Sequence, residues 1–252
     1  PSLILALSSL CYPSYMTPKE LRDGKELLAS LPEDLSGVDL TDADLAGISL
    51  SNSWLGGALL TGSNLAGAHM VGTDLRNTVC RSTIFNDADL HHVNFWSSDL
   101  SGAQFVGAVL SRSWIGNANL TGTDFRSAEL GGAWLTGADL TEAQFGGATL
   151  AGASLSRTCL RDTNFTGVFA MSADFRSSIC SGTSFRAANL TGAIFRGSSL
   201  VSVDFSFADL GGTDLSDTLF EDVELEGVRH DESTQWPESF EPPPSSGVTH
   251  HE

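Results

Sequence analysis

Long apolar runs are missing from this 252-residue chain: no stretch of about 20 consecutive apolar residues occurs, so no membrane span is expected. Basic residues are scarce. Thirteen Lys and Arg stand against 31 Asp and Glu, a formal net charge of −18 whose sign disfavours direct binding to nucleic acid. Catalytic signatures are absent too. There is no nucleophile elbow, P-loop, dinucleotide fingerprint or zinc spacing, and the glycines keep a regular rhythm instead of gathering into a phosphate loop. No enzymatic role, cofactor or metal is therefore expected. The familiar periods of apolar residues are also missing, since a helix repeats them at spacings of 3 and 4 and a strand at 2.

What the chain has instead is a period of five. Every fifth residue from Leu35 to Leu225 is apolar, in one register across 39 positions; 23 are Leu, 11 are Phe, and the others are Met70, Cys80, Ile115, Ala170 and Cys180. A chain that turns a corner every five residues, with one large side chain inward per side, satisfies this period. Four sides make one coil, so each column recurs at every twentieth position, as Phe85, Phe105, Phe125, Phe145, Phe165, Phe185 and Phe205 do. Two positions before each centre, from Val38 to Val223, every residue except Ile48 is Ala, Ser, Thr or Val, as a second inward position in a thin core requires. Two positions after each centre, 19 of 39 residues are Gly and 8 are Asn or Asp, types that suit turns. The two remaining positions vary, include most charges and read as facing water.

The unit, as in Ala138-Asp139-Leu140-Thr141-Glu142 or Ala188-Asn189-Leu190-Thr191-Gly192, resembles the pentapeptide-repeat proteins over about residues 33–228. The resemblance implies an all-β solenoid, a right-handed quadrilateral β-helix of about ten coils. It implies little about activity: most members have none known, a minority protect DNA gyrase by resembling DNA, and others act in cyanobacterial regulation or sit in the thylakoid lumen.

Stacking at about 4.8 Å per coil puts Cys80 and Cys180, five coils apart in one inward column, roughly 24 Å from each other. A disulfide needs Cα atoms within about 7 Å. Cys159 falls in an outward position and Cys11 outside the repeats, so all four read as reduced thiols of a reducing compartment. A cytoplasmic location is expected, with the thylakoid lumen or periplasm as the alternative if the apolar residues 2–12 are the remains of a signal and not an ordered arm.

Three parts are expected. Residues 1–32 form an arm and a capping helix over about 18–30, started by Thr17-Pro18-Lys19-Glu20 and presenting Leu21, Leu27, Leu28 and Leu31 to the first coil. Residues 33–228 form the β-helix. Residues 229–252 form an acidic, Pro-rich and partly disordered tail, in which Trp236 and Phe240 tuck over the last coil.

Positions 20 apart should be vertical neighbours, which makes the outer wall legible. Trp114 and Trp134 share a column, and Trp96 sits on the same side across the central column. Together they are the candidate partner surface. Their competing reading is local cover for glycines such as Gly116, Gly131 and Gly132. His69, Asp89 and His91 also meet on one side, but a solvated polar wall accounts for them better than a metal site. Between residues 33 and 220, 19 acids and 9 arginines leave −10. Spread over roughly 45 Å, that is one charge per about 4.5 Å, sparse beside the one per about 1.7 Å of duplex DNA. The favoured function is a rigid scaffold for an unidentified protein partner, as a monomer or homodimer. The alternative is a DNA mimic that protects a type II topoisomerase such as gyrase.

Overall fold

Parallel pairing from each coil to the next runs in one register, without a slip, from Asp34↔Trp54 to Asp209↔Arg229. The computed structural model describes residues 34–238 and 240–244. The arm and capping helix expected in residues 1–32, and the last residues of the tail, lie outside them. Each five-residue side contributes a single pairing residue, the one before the inward centre. Among the described residues only β1 (Ser199–Val201) and β2 (Leu219–Glu221) extend this to three residues, as a parallel pair.

Strands are this short because a corner follows at once. The carbonyl of each centre accepts the N–H three residues on, as Leu35 does from Val38. The second residue after the centre has positive φ at all 39 positions, between 50° and 73°. Positive φ at the third residue is what a type II turn demands. At twenty of these positions the residue is not glycine; Arg112, Arg157, Glu142 and Phe207 are among them.

Backbone hydrogen bonds can be followed through one unit. The centre donates to the coil above (Leu35 N to Trp54 O, 2.7 Å), as does the corner residue (Gly37 N to Gly56 O, 2.9 Å). The residue before a centre donates to the coil below, as Leu59 N does to Val38 O. With the turn bond, four of the five N–H groups are used. The fifth, on the residue after the centre, is taken in many units by an Asp or Asn before the centre: Ser36 N to Asp34 Oδ1, Thr41 N to Asp39 Oδ1, Thr121 N to Asn119 Oδ1. The outward position before the centre is thus less free than its exposure suggests. Its Asp or Asn supplies the acceptor the backbone lacks.

The centres form four columns, 35 to 215, 40 to 220, 45 to 225 and 50 to 210, buried except at Phe220 and Leu225 near the end. Phenylalanines dominate the third column. Their rings stack from Phe85 through Phe205 at centroid distances of 4.7–5.3 Å. Phe95, Phe175 and Phe195 meet them edge-on from the first column. Offset and edge-to-face contacts of this kind add about 0.5–1.5 kcal/mol beyond buried area. Ser and Thr two positions before a centre return their hydroxyls to nearby carbonyls, as Thr123 does to Leu120 O at 2.7 Å. Burial pushes the thiols of Cys80 and Cys180 up to about 12, so they serve as inert filling.

At the C-terminal end one extra residue enters, because Asp214 pairs with Gln235 instead of with the residue before it. Thr234 still donates to Leu210 O. Trp236 and Phe240 then close the column: Phe240 lies 4.7 Å from the Phe220 centroid and 5.4 Å from that of Trp236.

Phe125→Ala removes one ring from a continuous stack, and its neighbours cannot collapse inward without breaking the pairing of their own coils. Denaturant unfolding should show a loss of about 3–5 kcal/mol; a loss under about 1 kcal/mol, below the range for truncating a buried Phe, would contradict the stacked core.

Candidate partner surface

Trp54, Trp114 and Trp134 occupy the position before the centre on the first side, where the unit otherwise favours Asp or Asn. An indole has no acceptor to offer, so these coils give up the side-chain cap of the following N–H. Trp114 and Trp134 are direct pairing partners on successive coils. Their rings stand 6.2 Å apart at 33°, and they remain 51% and 58% exposed.

Trp96 does not join them. It follows the centre Phe95 on the other flank of the column and makes no ring contact with Trp114 or Trp134. Instead its six-membered ring lies across Gly116, one coil up: a methyl group at 116 would stand 2.9 Å from Trp96 Cε3 and closer still to Cζ3. Gly116 is buried beneath it. All three expected residues are exposed, Trp96 at 43%, but they divide into a pair in ring contact and a ring that covers its own wall. Phe207 repeats the second device, lying over Gly227 with the Arg186 guanidinium 4.6 Å from its centroid.

Several acids of the outer wall are neutralised locally. Arg76 folds back on Asp74 in a bidentate pair, and Arg126 and Arg176 do the same with Asp124 and Asp174. The Arg76 and Arg126 hydrogen bonds hold Asp74 and Asp124 below the usual carboxylate range. Among the described residues, acids fall one above another on successive coils in few places, such as Glu142 with Asp162 and Asp204 with Glu224, so no acidic stripe runs along a side.

His69 and Asp89 are pairing partners, and His91 Nδ1 lies 2.6 Å from Asp89 Oδ1. The hydrogen bond from His91 holds the Asp89 carboxyl below its ordinary value. Among the described residues no group of three His, Cys, Asp or Glu converges on a point where a metal would sit. No helix among them is long and apolar enough to cross a membrane.

A family model described as pentapeptide repeats matches the chain in eight copies, over residues 43–79, 74–112, 103–141, 128–167, 171–206 and 198–229. No curated protein matches the sequence. Solved structures similar to this one include QnrB1, a plasmid-mediated fluoroquinolone resistance protein, 22% identical over 67% of this chain and 92% of that one, with a TM-score of 0.49. HetL, a pentapeptide repeat protein involved in heterocyst differentiation regulation from the cyanobacterium Nostoc sp. strain PCC 7120, is 22% identical over 85% of this chain and 94% of its own, with a TM-score of 0.33. A pentapeptide repeat protein of the Arabidopsis thaliana thylakoid lumen is 32% identical over 46% of this chain and 64% of its own, with a TM-score of 0.16.

The division of the tryptophans is testable by stability. Trp96→Ala uncovers Gly116 and should cost about 1–2 kcal/mol from lost apolar contact, read by thermal or denaturant unfolding, whereas Trp134→Ala should cost visibly less. Equal losses would show that all three rings serve the fold alike.

Proposed function

The chain belongs to the pentapeptide-repeat family, and from that premise we propose that it is a non-enzymatic, rigid scaffold that presents the Trp114–Trp134 pair to another protein. The finer architecture in this reading is a right-handed quadrilateral rod, the hand that crossovers between parallel strands overwhelmingly take. The single observation that carries the proposal is the exposed pair itself. Two large rings stand in contact on a wall where the unit calls for Asp or Asn, and there they cover no glycine. Aromatic side chains dominate interface energetics. A wall held by backbone bonds from coil to coil loses little entropy on binding, so a small patch can suffice.

The alternative, a DNA mimic acting on a type II topoisomerase, needs a continuous run of negative charge along the rod. The acids are instead dispersed over the four sides and several are answered by arginine. That favours the scaffold. A cytoplasmic location accords with the free thiols Cys80, Cys159 and Cys180.

The double variant Trp114→Ser with Trp134→Ser separates docking from folding. Its melting temperature should stay close to that of the wild type, while a partner recovered from the native host, or self-association seen by sedimentation, should be lost. Unchanged recovery together with a lowered melting temperature would overturn the proposal.

A further inference from the structure

We propose that a depression on the fourth side of the coil binds a small molecule through its phosphate group. The depression has a volume of about 550 Å³ and is lined by His91, His92, Ser111, Arg112, Gly131 and Gly132. These are three vertically adjacent pairs, one on each of three successive coils. The upper pair makes the hollow. Gly131 and Gly132 leave the wall bare above Ser111 and Arg112; a methyl group at 131 would find only the carbonyl of Ala151, at 3.9 Å, and one at 132 only Arg112 Cγ, at 3.6 Å.

None of the six lining residues is acidic, on a chain with 31 acids and 13 Lys and Arg. Arg112 differs from Arg76, Arg126 and Arg176, which fold onto the Asp two residues before them. Arg112 stands at a corner, with φ 57°, and no carboxylate lies within ion-pair distance of it among the described residues. Its guanidinium is left for something outside the chain. His91 is held in place because the ionised Asp89 carboxylate accepts from Nδ1 at 2.6 Å, which leaves Nε2 to face away from that bond. His92 lies beside it, ring centroids 6.5 Å apart. The other charged or titratable groups on this side between residues 69 and 152 are His69, Asp89 and Glu129, with Asp87 at the preceding corner and Asp74 on the neighbouring first side, where it pairs with Arg76.

An Arg guanidinium binds a phosphate through two parallel N–H bonds, and the imidazole N–H groups lining the same hollow are further donors. The hollow is open to solvent and larger than a bare phosphate needs. The remainder of such a ligand would lie against the uncovered backbone of the two glycines. This site stands independently of the tryptophan pair, although Arg112 precedes Trp114 by only two residues.

The test titrates the full chain at about pH 6, where an ordinary imidazole is largely protonated, with glucose 6-phosphate, with inorganic phosphate and with glucose, following the histidine ring signals by NMR. Both phosphates should shift the His91 and His92 signals saturably, glucose 6-phosphate at the lower concentration, and glucose should shift neither. Arg112→Gln should weaken binding at least tenfold, and Arg157→Gln, a corner arginine on another side, should leave it unchanged. Absence of saturable shifts, equal response to glucose, or equal binding by Arg112→Gln would overturn the assignment.

Discussion

One residue in every five passes through the left-handed region of backbone space, and the rest of this structure follows from where those residues stand. A corner of this kind turns the chain after a single pairing residue, so a side cannot grow into an ordinary strand. It also points the side chains of the centre, and of the residue two before it, into one narrow channel. The channel admits one large and one small side chain per side, which is why inward Leu or Phe alternates with Ala, Ser, Thr or Val along the chain. Left-handed backbone is unfavourable for residues with a Cβ, yet Ser, Asp, Asn, His, Arg, Glu, Ala and Phe all adopt it here. Most are held there by the bond that the corner N–H makes to the next coil, as Arg112 N does to Gly131 O at 3.0 Å.

Because each coil meets only the coils above and below, stability is a sum of neighbour terms and not the property of one centre. The ends are then the exposed points. At the C-terminal end, the extra residue before Gln235 shifts the register and brings Trp236 and Phe240 over Phe220, covering the last open layer of the column. The same lattice makes the outer wall a grid whose rows and columns are known in advance. That is how two tryptophans, or two histidines and an arginine, come to be neighbours although a full coil of sequence separates them.

The register, the four columns and the stacking of Phe85 through Phe205 are legible in the sequence because a period of five has only one simple structural meaning. Less is legible where a residue acts through a bond that its type does not announce. Asp and Asn before the centre read as ordinary water-facing residues, and only the fate of the fifth backbone N–H explains the preference. Positive φ at Arg112 or Phe207 follows from position but not from residue type. Trp96 and Trp114 flank the same column on either side, Trp96 after its centre and Trp114 before its centre, and residue type does not announce that the first leans over Gly116 while the second projects outward. The one-residue shift before Gln235 leaves no mark in the sequence, since the apolar rhythm has already stopped at Leu225.

The corner requirement can be measured at a position where nothing else interferes. Gly152 has φ +64°, and a methyl group there would meet nothing within 4 Å. Any loss on Gly152→Ala therefore reports the backbone alone. Unfolding by denaturant should show a decrease of about 1 kcal/mol, in line with the strain a Cβ brings to this region. A Gly152→Ala variant as stable as the parent chain would mean that the corners are not the constraint on which the coil depends.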